Sequence, residues 1–202
     1  DELTFHHRAM RLTPNGTLTP SHIDTQVQTV HMLHSDFSSD LPAHQSSPSF
    51  FDSLTSVLSS LNLTLSNENE TILSHFQPRI TKADSALSAA NEEKYLNMAV
   101  SHLSHLLTNT LPSTILAYGS RTRLDWLSIG PTLTDVTDFS TQFTPCGIEY
   151  STFTINQRQV TVWYAPDPTQ SRRWNQLYSI LTLSHSPIVE VDHPSGLTSP
   201  IP

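Results

Sequence analysis

The chain has 202 residues, a formal net charge of −8 and a single cysteine, and charged residues make up only 14% of it. This length suits one sizeable domain. The acidic balance argues against the dense Lys/Arg surface that gives nucleic-acid-binding proteins most of their affinity, and a lone cysteine excludes an intramolecular disulfide and a cysteine-based zinc site. We also expect no membrane segment and no secretory signal, because no apolar run approaches the roughly 20 residues of a membrane span and the first ten residues lack an apolar core.

Residues 1–47 show no persistent hydrophobic periodicity, because Pro and Ser interrupt every short pattern. Short strands are compatible with residues 3–12 and 23–32, and the sequence Pro14-Asn15-Gly16 is a turn signal. Such a segment buries too little apolar surface to offset its conformational entropy. We therefore expect an extended N-terminal arm that is held by the core or by a neighbouring chain.

Helical periodicity begins at residue 48 and predicts a helix over residues 48–62, followed by a short helix over residues 67–76. The most persistent pattern lies in residues 91–109 and predicts the central core helix. Glu92 and Glu93 occupy its first turn, where negative charge suits the helix dipole, and Pro112 follows its end. The apolar stripe of this helix consists of Leu96, Ala99, Val100, Leu103, Leu106 and Leu107.

Beyond residue 112 the pattern changes to strands. Residues 114–119 predict a short buried strand, and the segment around Trp126 predicts a helical turn or an anchored loop. Residues 148–164 predict a β-hairpin, because two runs rich in Thr, Tyr, Phe, Val and Trp flank Asn156-Gln157. A helix over residues 168–183 and an edge strand over residues 188–191 follow.

The predicted fold is α+β and helix-dominated, with several amphipathic helices, a β-hairpin and short strands. It divides into the extended arm (1–47), a helical core with the hairpin (48–187), and a C-terminal strand and Pro-rich tail (188–202).

Two His-x-x-His pairs are the candidates for a metal site: His31 with His34, and His102 with His105. Two imidazoles at this spacing on a helix can share a metal ion, and Asp36 or Asp40 could complete the first set. With 11 histidines in the chain, this spacing is expected by coincidence, and neither pair has the Glu that follows the first His in a zincin. No metal site is predicted.

Catalytic motifs are equally weak. The chain lacks GxSxG, and Gly119-Ser120 and His193-Pro194-Ser195-Gly196 are only fragments of it. Cys146 precedes a predicted strand, where a lone cysteine is typically a small core residue. Phosphate-binding glycine motifs are missing from a chain with 5 glycines. No catalytic residue and no cofactor is predicted, and a Ser/His-dependent hydrolase is kept as an alternative.

Three glycosylation sequons, at Asn15, Asn62 and Asn69, support a second alternative, a secreted glycoprotein binding module. In a chain that is about a quarter Ser and Thr, such matches also arise by chance. Two arginine pairs, Arg121 with Arg123 and Arg172 with Arg173, are interpreted as solvated surface rather than as phosphate sites.

We predict that the protein is not an enzyme but a structural assembly protein, a viral capsid subunit or a fragment of one. The reasons are the arm that cannot order itself, the Pro-rich tail and the lack of catalytic motifs. The acidic balance suits the shell of a double-stranded RNA virus, located in the virion and assembled in the host cytoplasm, although no family motif supports this analogy. The partners would be copies of itself or other capsid subunits, without strong nucleic-acid binding. Contact residues are expected among Phe5, Arg11, Trp126 and Arg173.

Overall fold

In a computed structural model of the chain, the structure describes residues 8–12, 18–20, 26–33, 50–64, 70–74 and 89–185. Within these ranges eight strands form one mixed sheet. They are β1 (Arg8–Leu12), β2 (Leu18–Pro20), β3 (Thr29–Leu33), β4 (Glu70–Ser74), β5 (Thr114–Tyr118), β6 (Thr137–Phe143), β7 (Glu149–Ile155) and β8 (Arg158–Ala165).

The order of the strands across the sheet is β2-β1-β4-β3-β5-β8-β7-β6. The four central strands β4, β3, β5 and β8 are parallel to one another. Antiparallel pairs complete the sheet on both sides, β1 and β2 beyond β4, and β7 and β6 beyond β8. Parallel strands need crossover connections, which the helices supply.

Four α-helices are described: α1 (Phe50–Ser60), α2 (Ala89–Thr110), α3 (Ser120–Ile129) and α4 (Trp174–His185). Helices α2 and α3 pack in one hydrophobic cluster, and α1 and α4 pack in another. None of these four helices is both long and apolar enough to cross a membrane.

The two clusters lie on opposite faces of the sheet, because successive strand residues alternate between them. On β5, Ile115 and Ala117 belong to the first cluster, whereas Leu116 and Tyr118 belong to the second. This alternation follows from the two-residue period of a strand. Strands β3, β5 and β8 at the centre of the sheet therefore contribute residues to both clusters, between a layer of α2 and α3 and a layer of α1 and α4.

The central helix predicted over residues 91–109 is confirmed as α2. Its buried stripe includes Leu103, Leu106 and Leu107. The helix ends at Leu111, whose positive φ of 42° stops the helical path while its N–H still donates to the Leu107 carbonyl at 2.9 Å. The predicted helix over residues 48–62 is also confirmed, as α1. The helix predicted over 168–183 is confirmed only from residue 174 onward, as α4, because residues 168–170 are not helical and Ser171–Arg173 form a 3-10 turn.

The predicted hairpin over residues 148–164 is confirmed by β7 and β8, which pair antiparallel. Asn156 and Gln157 form the turn with φ values of 48° and 63°. Two consecutive positive φ values are the signature of a type I′ turn, whose twist matches that of the flanking strands.

The predicted dominance of helices is wrong, since helix and strand contributions are roughly balanced. The helix predicted over residues 67–76 is also wrong, because Glu70–Ser74 form β4, which pairs with both β1 and β3. A run as short as Thr71-Ile72-Leu73 fits a buried strand as well as a helix, and here the pairing partners on both sides decide. Strand β6 was also not predicted.

Part of the predicted N-terminal arm lies within this sheet. All five residues of β3 are buried, and β1 and β2 extend the sheet beyond β4. Backbone hydrogen bonds join Val27 N–H to the Thr110 carbonyl at 2.9 Å and Ser113 N–H to the Gln28 carbonyl at 3.0 Å. The rest of the arm and the tail beyond residue 185, with the predicted strand over 188–191, lie outside the described residues.

Among the described strands, β6 forms the edge of the sheet on the β7 side, and six of its seven residues are exposed. The register with β7 is irregular between Thr137 and Ser140, and Asp138 has a positive φ of 57°. Phe139 anchors the strand by stacking on Phe153, with ring centroids 6.1 Å apart. Gly130 permits this approach, because an added Cβ would lie 2.6 Å from the Phe139 ring.

Candidate functional site

A polar cleft opens where β5 and β8 end side by side. The chain continues from β5 into α3 on one face of the sheet and from β8 into α4 on the other face. Where two such connections diverge, a crevice forms at the carboxyl edge of the strands, which is the usual ligand position in open parallel sheets. The cleft has a volume of about 510 Å³, within the range of roughly 300–1,000 Å³ that is typical of small-molecule pockets.

Three segments that are distant in sequence build the walls of this cleft. One is the corner between β5 and α3, the second is the turn between β6 and β7, and the third is the connection between β8 and α4. The residues that the following paragraphs use are Ser120, Arg123, Phe143, Glu149, Tyr164, Asp167, Arg172 and Arg173, all of which line the cleft.

The first wall turns sharply at Gly119, directly after β5. Its φ of 88° is in the region that favours glycine, and an added Cβ would meet no atom within 4 Å. Glycine is therefore favoured here by the backbone angle, and not by a steric clash that a larger side chain would cause. Its N–H donates to the Ala165 carbonyl at 2.9 Å, which ties the end of β5 to the end of β8. This turn directs the N-terminus of α3, at Ser120, into the cleft.

An ion pair joins the first wall to the second. The Arg123 guanidinium on α3 donates through Nε to Oε2 of Glu149 and through Nη2 to Oε1 at 3.0 Å. This two-point contact raises the pKa of Arg123 above its ordinary value, with the hydrogen bond to Glu149 as the main cause. The pair holds α3 against the start of β7, so both side chains have fixed positions in the cleft.

The hydroxyl groups of Tyr164 and Ser151 lie 2.5 Å apart beside this ion pair. Both residues are buried. Burial raises the pKa of Tyr164 well above its ordinary value, and the negative charge of Glu149 raises it further. The phenol therefore stays protonated at neutral pH and contributes a neutral hydrogen-bonding group to the floor of the cleft.

The third wall is a compact connection that carries two exposed arginines. The Asp167 carboxylate accepts hydrogen bonds from Thr169, from the backbone N–H at 2.9 Å and from the hydroxyl at 2.7 Å. The Trp174 indole N–H donates to the Pro168 carbonyl at 3.0 Å. These contacts fix the path of the chain, so the next 3-10 turn presents Arg172 and Arg173 at the mouth of the cleft.

No protein-family model matches this chain, and no curated protein is significantly similar to it. The chemistry of the cleft is therefore the basis for a functional conclusion. Three arginines face two carboxylates in its lining, whereas the whole chain has a net charge of −8 with only 10 Lys and Arg. The cleft thus concentrates positive charge in an acidic protein.

The residues considered for a metal site are not brought together. His31 is buried in β3, where its Nδ1 lies 2.9 Å from the Tyr118 hydroxyl. His34, Asp36 and Asp40 lie outside the described residues. Across the ranges that the structure does describe, no group of three or more His, Cys, Asp or Glu side chains could hold a metal ion.

The second histidine pair lies on α2, away from the cleft. His102 is half-buried and His105 is exposed, with its Nε2 2.9 Å from Nδ2 of Asn109. Burial lowers the pKa of His102 below its ordinary value of 6.5, and the charge of His105 lowers it further. His102 therefore resists protonation in the folded state.

This pKa shift predicts a loss of stability in acid. Between the lowered pKa and 6.5 the unfolded chain binds a proton at His102 that the folded chain does not bind. Stability is therefore fully present above about pH 6.5 and decreases as the pH falls through this window. We expect His102→Gln to reduce the acid-induced decrease in the free energy of unfolding, measured by urea unfolding at about pH 7.5 and at about pH 5.

His105→Gln is the matched control, because burial is the larger cause of the His102 shift and that burial stays in place. This variant should retain most of the acid-induced loss. An unchanged loss in His102→Gln would show that other groups cause the pH dependence.

The other residues singled out in the sequence are scattered. Cys146 is exposed in the turn between β6 and β7, and Asn62 is exposed just after α1. Trp126, expected at a subunit contact, packs in the core and is fully buried. The structure does not describe the side chains of the remaining candidates, which are Phe5, Arg11, Asn15, Asn69, His193 and Ser195.

The site is not evident from the sequence, because both arginine pairs have the pattern of ordinary solvated surface. Arg123 is in an ion pair, and Arg172 and Arg173 line the cleft. A usable signal was present, since Gly119 and the Pro166-Asp167-Pro168 segment each follow directly after a buried strand. Polar loops that follow two parallel strands meet at one edge of the sheet, which places their side chains together.

Proposed function

We propose that this protein binds a small molecule carrying a phosphate or a similar oxyanion in the cleft between β5 and β8. The observation that carries the proposal is the convergence of Arg172, Arg173 and the N-terminus of α3 on one cleft of an otherwise acidic chain. The proposal concerns binding and includes no catalytic step.

The two arginines are available for a ligand. Arg172 and Arg173 are exposed, and no ion pair engages either of them within the ranges that the structure describes. A guanidinium presents donors in a planar fork that matches two oxygens of a phosphate or carboxylate. Two neighbouring guanidinium groups at the mouth of a cleft therefore favour an oxyanion over a neutral ligand.

The N-terminus of α3 adds donors from the opposite wall. The first intrahelical bond runs from Arg123 N–H to the Gly119 carbonyl at 3.1 Å, so helical geometry leaves the preceding N–H groups without an intrahelical acceptor. Gly119 has no side chain to cap them. The helix dipole also favours negative charge at this end.

The carboxylates of the cleft do not cancel this preference. Glu149 is engaged in two hydrogen bonds with Arg123, and Asp167 accepts two from Thr169. Their negative charges are thus partly compensated by fixed donors. Arg172 and Arg173 keep their charge for a ligand.

The test is a titration of the full chain with ribose 5-phosphate, followed by calorimetry. We expect the double variant Arg172→Ala/Arg173→Ala to raise the dissociation constant at least about fivefold, which corresponds to about 1 kcal/mol. The loss should be smaller at high salt, because exposed charges are screened there.

Arg158→Ala is the matched control. Arg158 begins β8 at the hairpin turn, at the opposite end of that strand from the cleft, and its loss removes a positive charge elsewhere. Its dissociation constant should stay within about twofold of the parent value. No binding to the parent protein, or equal weakening by both changes, would contradict the proposed site.

The capsid-subunit hypothesis stays a prediction, as do the hydrolase and glycoprotein alternatives and the expected location in a virion. One reason for the capsid hypothesis is an arm that cannot order itself, but β1, β2 and β3, which lie in that arm, pair within the sheet of the same chain. The native mass of the purified protein would test assembly directly.

A further inference from the structure

A large aromatic side chain, Phe143, stands uncovered at the wall of the same cleft. It is the last residue of β6 and pairs with Glu149 across the sheet. Its side chain is 66% exposed, although it lines the cleft. It makes no ring stacking contact with the aromatic residues that the structure describes. One face of the ring is therefore available to a ligand.

We infer that the oxyanionic ligand of this cleft is a mononucleotide, whose base stacks on Phe143 while its phosphate binds Arg172 and Arg173. The inference rests on the proposed function and adds the identity of the ligand class. An aromatic ring attracts a planar ring by stacking, and nucleic-acid bases stack on aromatic side chains in this way. A nucleotide is a common metabolite that carries both a planar ring and a phosphate.

The positions of the groups suit a ligand with two different ends. Phe143 belongs to the second wall, between β6 and β7, whereas Arg172 and Arg173 belong to the third wall, after β8. The ring and the guanidinium groups therefore contact one ligand from different sides. A bare phosphate or a sugar phosphate would leave the exposed ring unused.

The charge of the chain favours a single nucleotide over a nucleic-acid strand. Affinity for a strand depends on a continuous series of basic side chains that neutralise successive phosphates. This chain has 10 Lys and Arg and a net charge of −8. The positive groups concentrated in one cleft suffice for one phosphate group, and a longer strand would extend over an acidic surface.

The experiment compares AMP, UMP and ribose 5-phosphate as ligands of the full chain by calorimetry. We expect both nucleotides to bind about tenfold more tightly than ribose 5-phosphate, because only they stack on the ring. Phe143→Ala should weaken AMP about tenfold and leave ribose 5-phosphate within about twofold. Circular dichroism should show an unchanged fold, because Phe143 is exposed.

Leu124→Ala is the control for the loss of an exposed apolar side chain. Leu124 is 59% exposed on α3 and does not line the cleft, so its loss should leave AMP binding unchanged. Equal affinity for AMP and ribose 5-phosphate would overturn the inference while the proposed oxyanion site stands. Absence of binding by all three ligands would overturn both.

A short single-stranded oligonucleotide forms the last arm of the test. It should bind no more tightly per site than AMP. If the oligonucleotide bound about tenfold more tightly than AMP, with a steep dependence on salt, the ligand would be a nucleic-acid strand and the inference of a mononucleotide would be wrong.

Discussion

Replacing Trp126 with alanine is expected to lower the free energy of unfolding by about 3–5 kcal/mol. The indole of Trp126 is fully buried between α3 and the sheet, with its ring centroid 6.1 Å from that of Phe153. Truncation removes a large apolar surface and leaves a cavity that the rigid sheet cannot close. For a chain of this size, the melting temperature should fall by about 10 °C.

Leu124→Ala is the control on the same helix. Because Leu124 is 59% exposed, its loss should change the free energy of unfolding by no more than about 0.5 kcal/mol. A loss below about 1 kcal/mol in Trp126→Ala would mean that the indole is not a core residue, and would restore it as a candidate contact residue.

Replacing Glu149 with glutamine is expected to change stability and ligand affinity in opposite directions. Glutamine cannot reproduce the charged two-point contact with Arg123, so the free energy of unfolding should fall by about 2 kcal/mol. This value is discounted for solvent screening, because the Arg123 side chain is 37% exposed. At the same time one negative charge leaves the cleft, so ribose 5-phosphate should bind about twofold to threefold more tightly.

Asp135→Asn separates the local effect from the effect of net charge. Asp135 is exposed and does not line the cleft, so this change removes the same charge at a distance from the ligand. Both stability and affinity should stay close to the parent values. If the glutamine variant bound the ligand more weakly, Glu149 would have to contact the ligand directly and the proposed charge balance would be wrong.

The elements with long hydrophobic patterns were predictable from the sequence. The stripe of Leu103, Leu106 and Leu107 recurs at helical spacing, and it faces the core in α2. The β7–β8 hairpin followed from β-branched and aromatic runs around two residues that can adopt positive φ. In both elements the decisive contacts are local, so the pattern alone specifies them.

Elements that depend on distant partners were not predictable. Strand β4 has only a few apolar residues, and its conformation is fixed by pairing with β3 and β1, which are far away in sequence. Strand β6 is mostly polar and exposed, and it is held by β7 and by the packing of Phe139. Local sequence carries little information about such pairing.

The cleft was not predictable for a related reason. Its walls combine Gly119, Glu149 and Arg172, which come from three separate segments. They meet only because β5 and β8 are neighbours and parallel, although α3, β6 and β7 lie between them in the chain. Without that adjacency, Arg172 and Arg173 are indistinguishable from ordinary surface arginines.

The irregular outer strand β6 has a consequence for how copies of the protein could meet. A straight free edge would offer its backbone amides and carbonyls to an identical edge and extend into a continuous ribbon. The kink at Asp138, with its positive φ of 57° and its charge, interrupts the spacing that such a ribbon requires. At this end of β6, the irregularity therefore disfavours association through shared backbone hydrogen bonds and favours contacts between side chains.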